Sequence, residues 1–162
     1  GRISGIRSDE EYYMLESAAL LYSRPEVRFA SKQHSIEGKS VLEIEIAEAE
    51  NKPVYARDEK GRWMAYVRVA DENMLASIVQ LKLWESSIET KDSLLEMTRN
   101  ERILLNSLGD SVLKTLAEMQ KDTGIKRWEL IEILTKLLRF DVLFIRYSGG
   151  EARFGIKEAP GE

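Results

Sequence analysis

Six cations toward the end of the sequence form the constellation whose residue types and spacing point most directly to a chemistry. Lys126, Arg127, Lys136 and Arg139 lie in one stretch of helical periodicity but outside its apolar stripe, and Arg146 and Arg153 flank the Gly149-Gly150 pair of a hairpin pattern. Ammonium and guanidinium groups so arranged could neutralise phosphates, and an arginine at a helix N-terminus could reach a base edge. Glu129 and Glu132 share that polar face and oppose the reading, because carboxylates repel a phosphate backbone. A solvated helix in a protein-interaction module would give the same pattern.

Other chemistries find less support. The single histidine, His34, stands beside Gln33 and Ser35 in a strand-like run, and one imidazole among scattered serines makes neither a triad nor a multi-histidine metal site. The absence of cysteine removes disulfides and thiolate zinc sites and gives no sign of secretion. Glu43/Glu45 and Glu48/Glu50 are carboxylates at alternate positions, which solvent-facing strand residues explain without chemistry. No GxxxxGK[ST] phosphate loop occurs. Trp63, Trp84 and Trp128 are too scattered for a base-stacking platform and read as core or interface residues. The expectation is a protein that is not an enzyme, with no catalytic residue, metal or cofactor.

The elements that must position the six cations follow from periodicity. Thr98 and Glu101 have capping-box spacing and open a helix carrying Ile103, Leu104 and Leu108 to its end at Gly109. Val112, Leu113, Leu116 and Met119 mark a second helix, and Gly124 stands in the turn where a left-handed residue is wanted. A third helix, from about Lys126 to Phe140, has Leu130, Ile131, Leu134, Leu137 and Leu138 as its buried stripe. Strands at 142–147 and 152–156 close the segment. Helix, helix, short turn, helix, hairpin is the order of a winged helix-turn-helix, whose third helix would enter a major groove while the hairpin tracks phosphates.

Ahead of it, residues 1–6 read as a short strand or turn, with Ser8 as the N-cap of an amphipathic helix over 12–21 that stops near Arg24-Pro25. Strand patterns follow at 26–36, 40–47, 54–56 and 63–69, the cleanest being Leu42, Ile44 and Ile46 against Glu43 and Glu45. Helical spacing returns from Met74 or Leu75 to Trp84, and the polar run 85–97 reads as a linker. The expected fold class is α+β: a partial mixed or antiparallel sheet with two helices over 1–84, a linker over 85–97, and the winged helix over 98–162.

Composition fits a folded chain, with 43% hydrophobic and 32% charged residues in 162. A net charge of −4 argues against a protein that coats nucleic acid indiscriminately, yet the charge is uneven. From Thr98 onward there are 11 Lys/Arg against 10 Asp/Glu, and before it 13 against 18. The C-terminal part is therefore free to carry a local basic face. No apolar run approaches the roughly 18–20 residues of a membrane span, and no signal-peptide core precedes the first helix, so no membrane association and a cytoplasmic location are expected.

The first half also resembles a known family. Gly1 and Gly5 in the opening segment, the helix to Tyr22, the strand ending before Lys52-Pro53, and Tyr66-Val67-Arg68 in the strand WMAYVRV follow the order of motifs in the later half of the Schlafen/AlbA-type DNA-binding domain, also described as a divergent ATP-binding domain. That family opens with a Glu-Phe-Lys strand, a helix and an Asn-Thr-x-Gly-Gly turn, which have no counterpart here, so the chain is expected to begin inside the domain. Acidic residues of that opening contribute to the site in relatives with nuclease activity, so no catalytic residue carries over. Members often end in a winged helix, and the resemblance thus implies a DNA-binding transcriptional regulator. Its partners would be duplex DNA and a second copy of the chain, since such regulators bind as dimers and an incomplete sheet leaves an edge to pair. The alternatives are a protein-interaction scaffold and the remnant of a nucleotide-binding or nuclease domain.

Overall fold

The computed structural model describes residues 3–8, 10–86, 97–109 and 112–157. Gly1 and most of the expected linker, 87–96, lie outside the described residues. The chain divides into two compact units, Gly1–Ala65 and Tyr66–Glu162. Among the described residues there are five helices, and every strand pairing is antiparallel.

In the first unit, helix α1 (Glu10–Leu21) is followed by the short strand β1 (Ser23–Arg24), the hairpin strands β2 (Phe29–Ile36) and β3 (Lys39–Ile46), β4 (Tyr55–Arg57) and the first half of β5 (Trp63–Val69). The alternation that marked β3 forms a regular hairpin with β2, in register from Phe29 opposite Ile46 to Ile36 opposite Lys39. Separately, β4 pairs β1 on one side and Trp63–Ala65 of β5 on the other. Residues 3–7 form no strand; they are tied to β3 by Ile6 N–H donating to the Ser40 carbonyl at 2.7 Å. Helix α1 starts two residues after Ser8, and no residue of it is buried. Pro53 and Ala65 are the buried residues among those described in this unit.

The second unit begins with the rest of β5, which pairs with β6 (Glu72–Leu75). Then come α2 (Ile78–Glu85), α3 (Arg99–Leu108), β7 (Lys114–Thr115), α4 (Leu116–Thr123), α5 (Arg127–Arg139), β8 (Leu143–Ser148) and β9 (Glu151–Ile156). The last strands form one sheet in the order β7-β9-β8. Two of these elements were not expected. The segment read as the start of a helix at Met74 and Leu75 is strand β6, and the N-terminal part of the expected second helix contains β7, which pairs Thr115 with Arg153.

A single core holds this unit together. Leu104 and Leu108 of α3, Met119 of α4, Leu130, Ile133, Leu134 and Leu137 of α5, Leu143 of β8, Phe154 of β9 and Val79 of α2 are all buried in it. Helix α2, expected to belong with the N-terminal piece, instead packs on α5. Val79 is fully buried, and Tyr147 Oη of β8 accepts the Ser77 N–H at 3.0 Å. The physical reason is that α5 is buried over a wider arc than its expected stripe: Ile133 is buried beside Leu130 and Leu134, and the polar Thr135 is 3% exposed. A wider arc needs a further helix to cover it.

Local sequence fixes the ends of these helices. Thr98 and Glu101 make the expected capping box on α3, with Thr98 N–H donating to Glu101 Oε2 at 2.7 Å. A second box of the same spacing, Thr115 and Glu118, opens α4. Gly155 has no room for a side chain, because a Cβ there would meet Leu113 Cδ2 at 2.7 Å and Phe144 Cζ at 2.9 Å. The two-residue β8–β9 turn is made by Gly149 and Gly150, both at positive φ, as hairpin turns of this length demand.

Candidate nucleic-acid interface

All six cations belong to the second unit, and they fall into three environments. Lys126 is the N-cap residue of α5 and Arg127 its first residue; both are exposed. The N-cap side chain makes no capping hydrogen bond, unlike Ser77, Thr98 and Thr115 at the other N-caps of this unit. Arg139, in the last turn of α5, is also exposed. None of these three has an ion-pair partner among the described residues.

Arg146 and Arg153 are brought side by side, directly opposite each other across β8 and β9. Like charges in that position repel unless each has another interaction. Arg146 lies over the Phe144 ring, 5.6 Å from its centroid, and stays exposed. Arg153 Nη1 lies 3.5 Å from Glu118 Oε2 and donates to the Leu113 carbonyl at 3.5 Å. Arg153 therefore sits against the capped start of α4. There the Thr115 backbone N–H, then its hydroxyl, and the Arg153 charge hold the Glu118 carboxyl below the usual glutamate range.

Lys136 differs from the other five. Its Nζ lies 2.8 Å from Glu101 Oε1, and Glu101 is only 3% exposed. Burial by itself would raise the Glu101 pKa; the hydrogen bonds from Lys136 and Thr98, with the Lys136 charge, outweigh it and leave the carboxyl below the usual range. Lending this ammonium to a phosphate would strand a buried carboxylate, which costs more than an exposed contact returns. Lys136 is thus committed to α3.

The two glutamates that opposed the nucleic-acid reading are occupied too. Glu129 Oε1 accepts from Asn100 Nδ2 of α3 at 2.5 Å, and Glu132 is ion-paired with Lys82 of α2. Helical spacing places Trp128, Glu132 and Arg139 on one line of α5, which is exposed at these three residues and interrupted by the buried Thr135 between Glu132 and Arg139. Trp128, expected in a core or interface, is 64% exposed on this line. It stands next to Arg127 and Lys126, so the open end of α5 presents one large aromatic plate and two cations. The signal for this was its position: i−2 from Leu130 puts a side chain away from a stripe built on Leu130, Leu134 and Leu137.

The remaining sequence candidates for chemistry are dispersed. His34 is a strand residue whose Nε2 lies 2.6 Å from Glu43 Oε2 on the neighbouring strand. Glu48 pairs with Lys52 at 2.5 Å, and Arg68 of the Tyr66-Val67-Arg68 motif donates to Asn73 Oδ1 at 3.1 Å within the β5–β6 hairpin. Among the described residues, no three His, Asp or Glu gather as a metal site, and no helix is long and apolar enough to cross a membrane. No family model matches the chain, and no curated protein or solved structure is significantly similar to it.

Proposed function

We propose that residues 98–162, within the second unit, form a winged helix that binds duplex DNA, and that the chain acts as a DNA-binding regulator, as a homodimer, with residues 1–84 corresponding to the Schlafen/AlbA-like portion. The observation that carries this reading is the element order α3, β7, α4, α5, β8, β9 with the sheet order β7-β9-β8. It provides a third helix with an open N-terminal end and a hairpin with a two-residue tip. In this reading Lys126, Arg127 and Arg139 on α5 and Arg146 on the hairpin contact phosphates. Trp128 supplies apolar contact at the groove, of the kind that reads a thymine methyl. Arg153 orients the hairpin against α4, and Lys136 is structural.

The ion pairs of Glu132 with Lys82 and Lys136 with Glu101, and the burial of Thr135, favour a second reading. With α2 and α3 occupying much of α5, the unit would be a protein-interaction module. Titrating a labelled random-sequence duplex by fluorescence anisotropy separates the two. Four phosphate contacts per protomer predict that the affinity of a single bound protomer falls roughly a hundredfold between about 50 and about 200 mM salt, and that of a bound dimer roughly the square of that. Folded protein with no salt-sensitive binding would leave the interaction module.

A further inference from the structure

Helix α1 leaves an apolar face uncovered. Met14 is 70% and Leu21 59% exposed, and Tyr13 and Tyr22 are exposed beside them. At 100° per residue, Met14, Ser17, Ala18 and Leu21 share one face and Tyr13 flanks it, while Tyr12 and Ala19 turn to the opposite side; Tyr22, just past the end of the helix, borders the same face. That opposite side is the half-buried one, where Tyr12 meets Phe29 edge to face at 6.2 Å. A shallow groove lined by Tyr13, Met14, Ser17, Ala18 and Tyr22, with Glu10 at one end, runs along the open face. A contiguous apolar patch with a small-residue waist is what an interaction surface looks like, not what a monomer exposes by chance.

The order of side chains along α1 says which partner fits. About the midpoint between Ser17 and Ala18 the sequence is nearly a palindrome in size: Ser17 mirrors Ala18, Leu15 mirrors Leu20, Met14 mirrors Leu21 and Tyr13 mirrors Tyr22, and the one unmatched pair, Glu16 and Ala19, lies on the opposite side of the helix. A two-fold contact requires this property, because residue i must meet residue j while j meets i. We infer that α1 packs antiparallel on α1 of a second copy of this chain, with the axis at Ser17 and Ala18 and Met14 against the partner subunit's Leu21. Small side chains at the crossing let the helices approach, and the bulky residues close over both ends. The acidic first turn, Glu10 and Glu11, then runs toward the C-terminal end of the other helix. Antiparallel helices also align their dipoles favourably. One face of a twelve-residue helix is smaller than the roughly 800 Å² per partner of a standard interface, so the dimer dissociates on dilution.

This takes up the homodimer of the preceding reading and gives it a seam, and it is tested without DNA, so either can fail while the other stands. The experiment is sedimentation velocity of the full chain from low to high micromolar concentration, with far-UV circular dichroism to verify folding. The wild type is expected to move from monomer to dimer, and Met14→Glu to shift the midpoint at least tenfold upward. Met14→Glu with Leu21→Lys should restore the dimer, because each new carboxylate then faces a new ammonium, whereas Met14→Glu with Leu21→Glu should not. Ala18→Arg is a second disrupting variant should Met14→Glu lose helix signal. A wild type that stays monomeric, a dimer indifferent to both Met14→Glu and Ala18→Arg, or two double variants that behave alike would each overturn the proposal.

Discussion

Helices α1 and α5 are nearly the same length, twelve and thirteen residues, and both are rich in leucine, yet α1 buries no residue and α5 buries five. The difference lies in how the apolar residues are distributed. In α5 they gather on one broad arc that α2, α3, α4 and the β8 strand cover; in α1 they run almost all the way round, and β1 and β2 reach only one side. A helix apolar on every side needs covering on every side. The two units differ accordingly: the second carries a closed core, and the first relies on hairpin hydrogen bonds and on whatever covers α1.

The strongest way to break this contrast is to truncate one leucine in each helix. Leu134→Ala should destabilise the second unit by about 2–5 kcal/mol, because it opens a cavity in a closed core. Leu20→Ala in α1 should change stability by no more than about 0.5 kcal/mol, as exposed positions do. Urea unfolding followed by circular dichroism measures both, and similar losses would erase the distinction. Val79→Ala sharpens the division between the units. If α2 belongs to the second core, the loss is about 2 kcal/mol and falls in the same unfolding transition as that of Leu134→Ala; a silent substitution would return α2 to the first unit.

Smaller effects concern charge and capping. Lys136→Met leaves Glu101 buried without its ammonium and should cost about 1–3 kcal/mol in thermal or urea unfolding. Because the folded Glu101 pKa lies below its ordinary value of 4.5, its contribution is complete above that pH and is lost as the pH falls through the lower folded value. In Lys136→Met this part of the acid sensitivity should shrink. Thr115→Ala removes one capping box and should cost about 1 kcal/mol, with little change in the first unit.

How much of this was legible in the sequence follows from length and periodicity. The α5 stripe, the Thr98–Glu101 box and the hairpins could be read because each repeats a pattern over enough residues to be distinctive. Strand β7 is two residues long and carries no period of its own. Its presence could still have been inferred, since Thr115 and Glu118 repeat the spacing of Thr98 and Glu101 and so mark where α4 must begin. Strand β6 has polar residues at its first two positions and is defined by pairing with β5, a non-local fact. At the candidate interface the sequence shows the residue types but not their partners. Lys136 and Arg139 look alike on a wheel, and only the position of Glu101 on another helix separates a structural lysine from a free arginine.

The central claim, that the second unit binds duplex DNA through the open end of α5 and the hairpin, is tested most directly by the salt dependence of binding in three variants. Log affinity for a random duplex against log salt should lose about one unit of slope per bound protomer in Arg127→Ala and in Arg146→Ala, and none in folded Lys136→Ala. Unchanged slopes in both arginine variants, or no binding by the folded wild type at low salt, would contradict it.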